Sequence, residues 1–228
     1  VREAAQSAAA LVAACAVPAT EKRTEIKISP PNIQTAAFRL IGTAPYVQNR
    51  FGAKARGLMH DKQAAGSTAK SSTRRSAKDF KAAYEDAMHK TCEGWCGIPA
   101  PAFRNACITA CCVAGFAMTR AKLAVFVLAD GFDKDDGTPL VKITKGKPEY
   151  TEMAVKNDSG VCDLRARPMW REGWECVLRL RYDADMFTVS DIANLVLRAG
   201  MQVGVGEGRP ASKNSCGMGW GLFQIADK

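Results

Sequence analysis

Histidine is the scarcest chemistry in this 228-residue chain, which holds only His60 and His89. Imidazole is the side chain that titrates near neutrality unperturbed, so general acid–base catalysis has two ready carriers and no more. Several signatures are missing altogether. There is no Walker-type loop, no zinc-protease helix and no nucleophile elbow, which removes those three chemistries. Gly204-x-Gly206-x-Gly208 follows a helix-like segment instead of leading into one, so it is not a dinucleotide fingerprint. Long apolar runs are lacking too: the alanine-rich stretch from Ser7 to Ala19 is too short to span a bilayer. The acidic loop Asp130 to Asp136 lacks the ligand order of a calcium-binding hand and carries Lys134, which argues against a metal there. No cofactor is expected.

Acids are outnumbered by bases, 23 against 32, for a net charge of +9. That balance favours polyanions over acidic small molecules. A hydrophobic content of 47% supplies an ordinary core and excludes disorder throughout. Cysteine is plentiful, at nine residues, but the count is odd, Cys111 and Cys112 are vicinal, and most sit in apolar segments. This is the pattern of small buried hydrophobes in a reducing compartment, so the cytoplasm is expected. The N-terminal run offers a competing reading, because Val12-Ala13-Ala14-Cys15 behind Arg2 resembles a lipoprotein cleavage box. Glu3 cancels Arg2, and an alanine-rich extension over 1–24 is preferred, followed by one domain over 25–228.

Within that domain, Gln34 to Gly42 reads as a strand, with a further short one at Glu25 to Ile28. From Arg50 to Lys81 there are nine Lys or Arg residues against Asp61 and Asp79, with Gly, Ser, Thr and Ala between them. Such a stretch buries too little apolar area to offset the entropy of ordering, so a flexible basic insertion at about 52–78 is expected. Ser76 to Lys90 then reads as an amphipathic helix, and Pro101 suits the first turn of another running to about Gly115. Lys122 to Ala129 reads as a central strand, and Val141 to Val155 as short strands of an insertion. Strands are expected at 163–168, 174–182 and 219–225, with a helix from an N-capping Ser190 to Met201. Strand, helix, strand, strand, helix, strand is the βαββαβ order of an α+β, ferredoxin-like sheet with two helices on one face.

The open face is where the candidate residues fall. Arg165 and Arg167 lie two apart on one strand, and Arg179 and Arg181 repeat the spacing on the next. If those strands are neighbours, four guanidiniums form a phosphate-binding stripe; otherwise they form a solvated face paired with Asp163, Glu172, Glu175 and Asp183. The C-terminal segment concentrates seven glycines between Gly200 and Gly221, around Arg209, Lys213 and Trp220. Gly204, Gly206 and Gly208 would let a polymer backbone approach bare amides in a glycine-rich hairpin. Arg209 either places a charge there or ties the loop to Glu207 or Asp191, and Trp220 is either a base-stacking platform or core. In the basic stretch, Arg50, Lys54, Arg56, Arg74 and Arg75 would clamp a strand of nucleic acid, the alternative being a solvated loop. Cys92-x3-Cys96 with Cys107-x3-Cys111 suits zinc, or else a buried helical face. His60 beside Lys62 is the place for a metal-independent ribonuclease, or simply a loop histidine.

Two sets of residues carry a resemblance. Leu195 to Gly200 with Val203 to Pro210, closed by Gly219-Trp220-Gly221-Leu222-Phe223, resembles the ending of a group of uncharacterised tailed-phage proteins. Thr43 to Phe51, Gly97 to Ala106, and Leu164 to Pro168 followed by Trp174 do so as well, over residues 34 to 225 in all. Those proteins in turn resemble the RAMP superfamily, which includes the RNA-binding backbone subunits of CRISPR effector complexes. The resemblance implies an RRM-like core, single-stranded RNA or DNA held by backbone contacts, and head-to-tail assembly along the strand. An interaction module that mimics such a subunit is the alternative. The chain departs from the RRM pattern in lacking an aromatic pair on a central strand, which argues against the usual base stacking. Replacing Arg74 and Arg75 together by Gln is expected to weaken oligonucleotide binding equally across sequences and to reduce the salt slope by about 1.4. An unchanged slope in a titration series at several salt concentrations removes the clamp.

Overall fold

The apolar–polar alternation around Cys176 to Tyr182 becomes strand β9 (Glu175–Asp183), and the main sheet is built on it. Cys176, Leu178, Leu180 and Tyr182 point into the core, while Val177, Arg179 and Arg181 point out. In the computed structural model, which describes residues 28–64, 66, 78–156, 162–212 and 218–226, the chain divides into compact units Val1–Pro31 and Asn32–Lys228. All the described strands and helices lie in the second unit. Strand β1 (Ile33–Gly42) runs antiparallel to β9 along its whole length, setting Ala36, Phe38 and Leu40 opposite Leu180, Leu178 and Cys176. Strand β10 (Phe223–Ile225) pairs antiparallel with the end of β1, and β4 (Val125–Leu128) pairs antiparallel with the far side of β9. These four strands lie in the order β10-β1-β9-β4. Strand β6 (Pro139–Lys145) shares the β4 side of β9 and carries β3 (Gly97–Pro99) and the two-residue β5 (Gly131–Phe132).

Helix α3 (Ala100–Val113) follows β3, with Pro101 in its first turn where the missing amide costs nothing. It buries Phe103, Ala106, Cys107, Ala110 and Cys111 against the inward residues of the sheet. Helix α5 (Val189–Arg198) presents Ile192, Leu195 and Val196 to the same core. Its cap is Thr188, not Ser190: the Thr188 hydroxyl accepts from Asp191 N while the Asp191 carboxylate takes the Thr188 amide, a reciprocal capping box. The chain is therefore α+β with antiparallel sheets, and the helices α3 and α5 share one core with the inward side of the main sheet.

A second sheet stands apart from the first in pairing, with β2 (Tyr46–Val47), β8 (Cys162–Trp170) and β7 (Glu149–Lys156) in the order β2-β8-β7. Tyr46 joins the two sheets: its ring lies 5.4 Å from that of Trp170 and 5.7 Å from that of Trp174, centroid to centroid. Burial raises its phenol well above the usual range, outweighing the hydrogen bond from Gln48. Helix α2 (Phe80–Asp86), capped by Asp79, packs on β8. It is shorter than the Ser76 to Lys90 helix expected. Two further expectations are corrected. Part of the basic stretch is helical, α1 (Ala53–Ala64), because Ala, Lys, Arg, Leu, Met and Gln are good helix formers whatever their burial. Lys122 to Ala124 belong to helix α4 (Met118–Ala124), and β4 is not central but lies at an edge of β9. The candidate strand at Glu25 to Ile28 lies almost wholly outside the described residues, and no helix among those described is long and apolar enough to cross a membrane.

Among the described residues, the C-terminal glycines do not make the expected hairpin. A π-helical turn (Ala199–Val203) leads into bends, and of the described residues after it only Phe223–Ile225 are strand. Gly221, at φ 69°, lies so close to Val205 that an added Cβ would sit 1.7 Å from the Val205 carbonyl oxygen. Gly221→Ala is thus expected to cost about 3 kcal/mol, combining the left-handed backbone with a main-chain clash. Gly219→Ala shares the positive φ but meets open space, and should cost about 1 kcal/mol. Equal losses for the two variants in urea unfolding would refute this packing.

Candidate nucleic-acid interface

Arg50, expected at a nucleic-acid surface, is instead a buried tie. Its side chain is 4% exposed, with Nη2 2.9 Å from Asp86 Oδ1 and Nη1 3.2 Å from Asp133 Oδ1 and 2.5 Å from Asp135 Oδ2. Nε also donates to the Asp86 carbonyl. Burial disfavours the guanidinium charge, but Asp135, Asp133 and Asp86 together outweigh it and hold Arg50 charged. Burial likewise raises the Asp133 carboxyl, and is overcome by hydrogen bonds from the Asp135 amide, His89 and the Asp136 amide, which leave it below the usual carboxylate range. The sequence shows this arginine only as one of a basic run; the acids that claim it lie 36 to 85 residues away.

Beside this tie runs a groove of about 740 Å³ between α1, α2 and β8. Lys78, Arg165 and Arg167 line it together with Phe51 and Leu58, which are 53% and 55% exposed. Arg165 and Arg167 stand on the same side of β8, as their spacing requires. Both reach Glu207: Arg167 Nε lies 2.8 Å from Oε2, and Arg165 Nη1 lies 3.8 Å from Oε1. Lys78 pairs with Asp163, whose carboxyl it draws below the usual range. Arg56 and Lys54 belong to α1, Arg56 being half-buried. Arg74, Arg75 and Lys213 lie outside the described residues.

The four-guanidinium stripe does not form, because β8 and β9 follow one another in sequence but enter different sheets. Arg179 and Arg181 lie on the outward face of the main sheet. Arg179 donates to Asp130 Oδ1 at 2.6 Å, and Arg181 stands over the Phe126 ring at 5.2 Å, with Arg104 at 5.1 Å from the same ring. The glycine segment, by contrast, does come to the β8 arginines. The Glu207 amide donates to Val47 O on β2, and Gly206 lies so close to β2 that a Cβ would sit 2.5 Å from that same oxygen. Its amides are largely satisfied inside the protein: Gly204 donates to Ala199 O, Val205 to Gly221 O and Trp220 to Gly208 O. Bare amides at Gly204 are therefore not found. Arg209 donates to Gly206 O at 2.8 Å, so it closes its own loop instead of pairing with Glu207 or Asp191. Trp220 is half-buried and covers Gly208, where a Cβ would meet the indole at 2.6 Å.

Among the described residues, His89, Asp133 and Asp136 are the group close enough to share an ion. Yet Asp133 is already engaged on both oxygens, by His89 Nδ1 at 2.8 Å and by Arg50, which supplies the positive charge a cation would bring. The four cysteines do not converge: Cys107 is buried in the core, its thiol pushed up to about 12 by burial, while Cys92 is exposed. His60 is exposed on α1, 3.9 Å from Asp61. The chain matches no protein-family model and has no significant match among curated proteins.

The buried tie makes a pH prediction. A carboxyl whose folded pKa is depressed contributes stability above its unfolded value, near 3.9, and loses it as pH falls through the folded value. Asp133→Asn should therefore cost about 3 kcal/mol at neutral pH, and the gap to the parent should shrink below about pH 4. A gap that is constant from pH 7 to pH 3 in denaturant unfolding contradicts the assignment.

Proposed function

We propose that this protein binds single-stranded nucleic acid, RNA or DNA, through the groove between α1, α2 and β8, by backbone contacts and with little sequence preference. The observation that carries this reading is the meeting of Lys78, Arg165 and Arg167 with the exposed ring of Phe51 in one groove beside α1. Cations track phosphates, and an exposed ring offers a sequence-tolerant stacking surface. A duplex, whose bases are already stacked, gains nothing from that ring.

The order β10-β1-β9-β4, with α3 between β1 and β4 and α5 between β9 and β10, supports reading the core as ferredoxin-like, in the manner of RRM and RAMP proteins. Phage origin and head-to-tail assembly along the strand belong to the same reading. Buried free thiols at Cys107, Cys111 and Cys176 favour a reducing cytoplasm. The activity is binding and not catalysis.

One observation favours the mimic reading instead. Arg50, Arg167 and Arg179 are each matched to a carboxylate of the chain itself, as in a surface built to copy a nucleic-acid-binding subunit without binding. Mobility shifts with single-stranded RNA, single-stranded DNA and duplex at several salt concentrations separate the two. Length-dependent binding of both single strands that falls with salt and exceeds duplex binding is expected. No binding at physiological salt overturns the proposal in favour of the mimic.

A further inference from the structure

Glu207 stands where an anion would be held. Its two carboxylate oxygens face different arginines, Oε2 taking Arg167 Nε at 2.8 Å and Oε1 facing Arg165 Nη1 at 3.8 Å, while Arg165 Nε also lies 3.6 Å from Asp163 Oδ2, so that Arg165 is shared between two carboxylates and Arg167 is the one held by Glu207. Arg167 is further fixed by donating Nη1 to Ala166 O at 3.0 Å. The Arg165 and Arg167 side chains are 28% and 12% exposed and Glu207 19%, so the cluster is sheltered but open to solvent. Two guanidiniums converging on one planar carboxylate present the donor geometry that also grips phosphate oxygens. The carboxylate is held at this point by its loop. Gly206 and Gly208, at φ 83° and 75°, flank Glu207, and the Glu207 amide is anchored on Val47 O, so the main chain is pinned while the side chain alone spans to β8.

From this arrangement we infer that Arg165 and Arg167 form an oxyanion seat for a phosphodiester, filled in the free protein by the chain's own Glu207 carboxylate. The inference rests on the proposed function for its ligand and adds where one phosphate sits and what must leave. A tethered carboxylate competes as an intramolecular ligand, with an effective concentration on the order of millimolar. A lone phosphate, with only this seat to gain, displaces it poorly. A polymer that also meets Lys78 and Phe51 along the groove displaces it with the help of those further contacts, so Glu207 selects chains of phosphates over free ones.

The test titrates the full chain with a fluorescent single-stranded RNA and, separately, with inorganic pyrophosphate, comparing wild type, Glu207→Gln, Glu207→Asp and the double variant Glu207→Gln/Arg167→Gln, each checked by thermal melting. Glu207→Gln should bind RNA about tenfold tighter than wild type at low salt, with the advantage shrinking as salt rises. Glu207→Asp, which keeps the charge on a shorter arm, should gain less, and the double variant should lose the gain. Where wild type binds RNA, folded Glu207→Gln that binds it no tighter overturns the seat; if that variant melts early, Glu207→Asp that binds RNA no tighter than wild type overturns it in the same way. Should Glu207→Gln gain affinity for pyrophosphate while no form binds RNA, the seat stands as a site for free phosphate and the nucleic-acid reading falls. Gain in neither arm removes the seat altogether.

Discussion

The arrangement of this molecule depends on a single buried cation. Arg50 reaches α2 through Asp86 and the turn between β5 and β6 through Asp133 and Asp135, while its own backbone amide bonds to Ala87 O. A guanidinium removed from water costs several kcal/mol unless matched, and three carboxylates with one carbonyl match it fully. The tie fixes the segment after β2 to the start of the groove, and the adjoining Phe51 and Gly52 line that groove. Gly52 itself is pressed against Asp86: an added Cβ would lie 1.7 Å from Asp86 Oδ2. Among the described residues, Arg50 is the side chain that holds α2 and the β5–β6 turn to the same point.

Around this anchor, the protein pairs much of its positive charge internally. Glu207 takes Arg167 and Arg165, Asp163 takes Lys78, Asp130 takes Arg179, and Glu175 takes both Arg39 and Lys145. The more exposed of these, Lys78–Asp163 and Arg179–Asp130, contribute little to stability, so their effect is on the field outside the protein. A net charge of +9 remains after all pairing.

Much of the main sheet was legible from local pattern. The alternation of β9 and the apolar run of β1 specify their inward faces, because a one-residue slip would turn Leu178 and Leu180 to solvent. The inward positions of α3 follow from the same logic at helical spacing. Pairing between sheets is what local pattern does not carry. Strands 162–170 and 175–183 are separated by one short turn, and local sequence suggests a hairpin; Trp170 and Trp174 instead both pack on Tyr46 and split them between sheets. The stripe fails on that point alone. The glycine segment misleads for a related reason: it has the positive φ and close approach that its composition suggests, but the approaching backbone is the protein's own, Val205 on Gly221 and Val47 on Gly206. Arg50 and Glu207 are hidden in the sequence because their partners lie far off along the chain, and a charge run carries no sign of which member is buried.

Photocross-linking of a single-stranded RNA to the intact protein, with the adducts located by mass spectrometry, tests the groove most directly. Adducts on Phe51 and on peptides from α1 and β8 are what the account predicts. Adducts confined to the outward face of the main sheet, around Phe126 and Arg181, would contradict it.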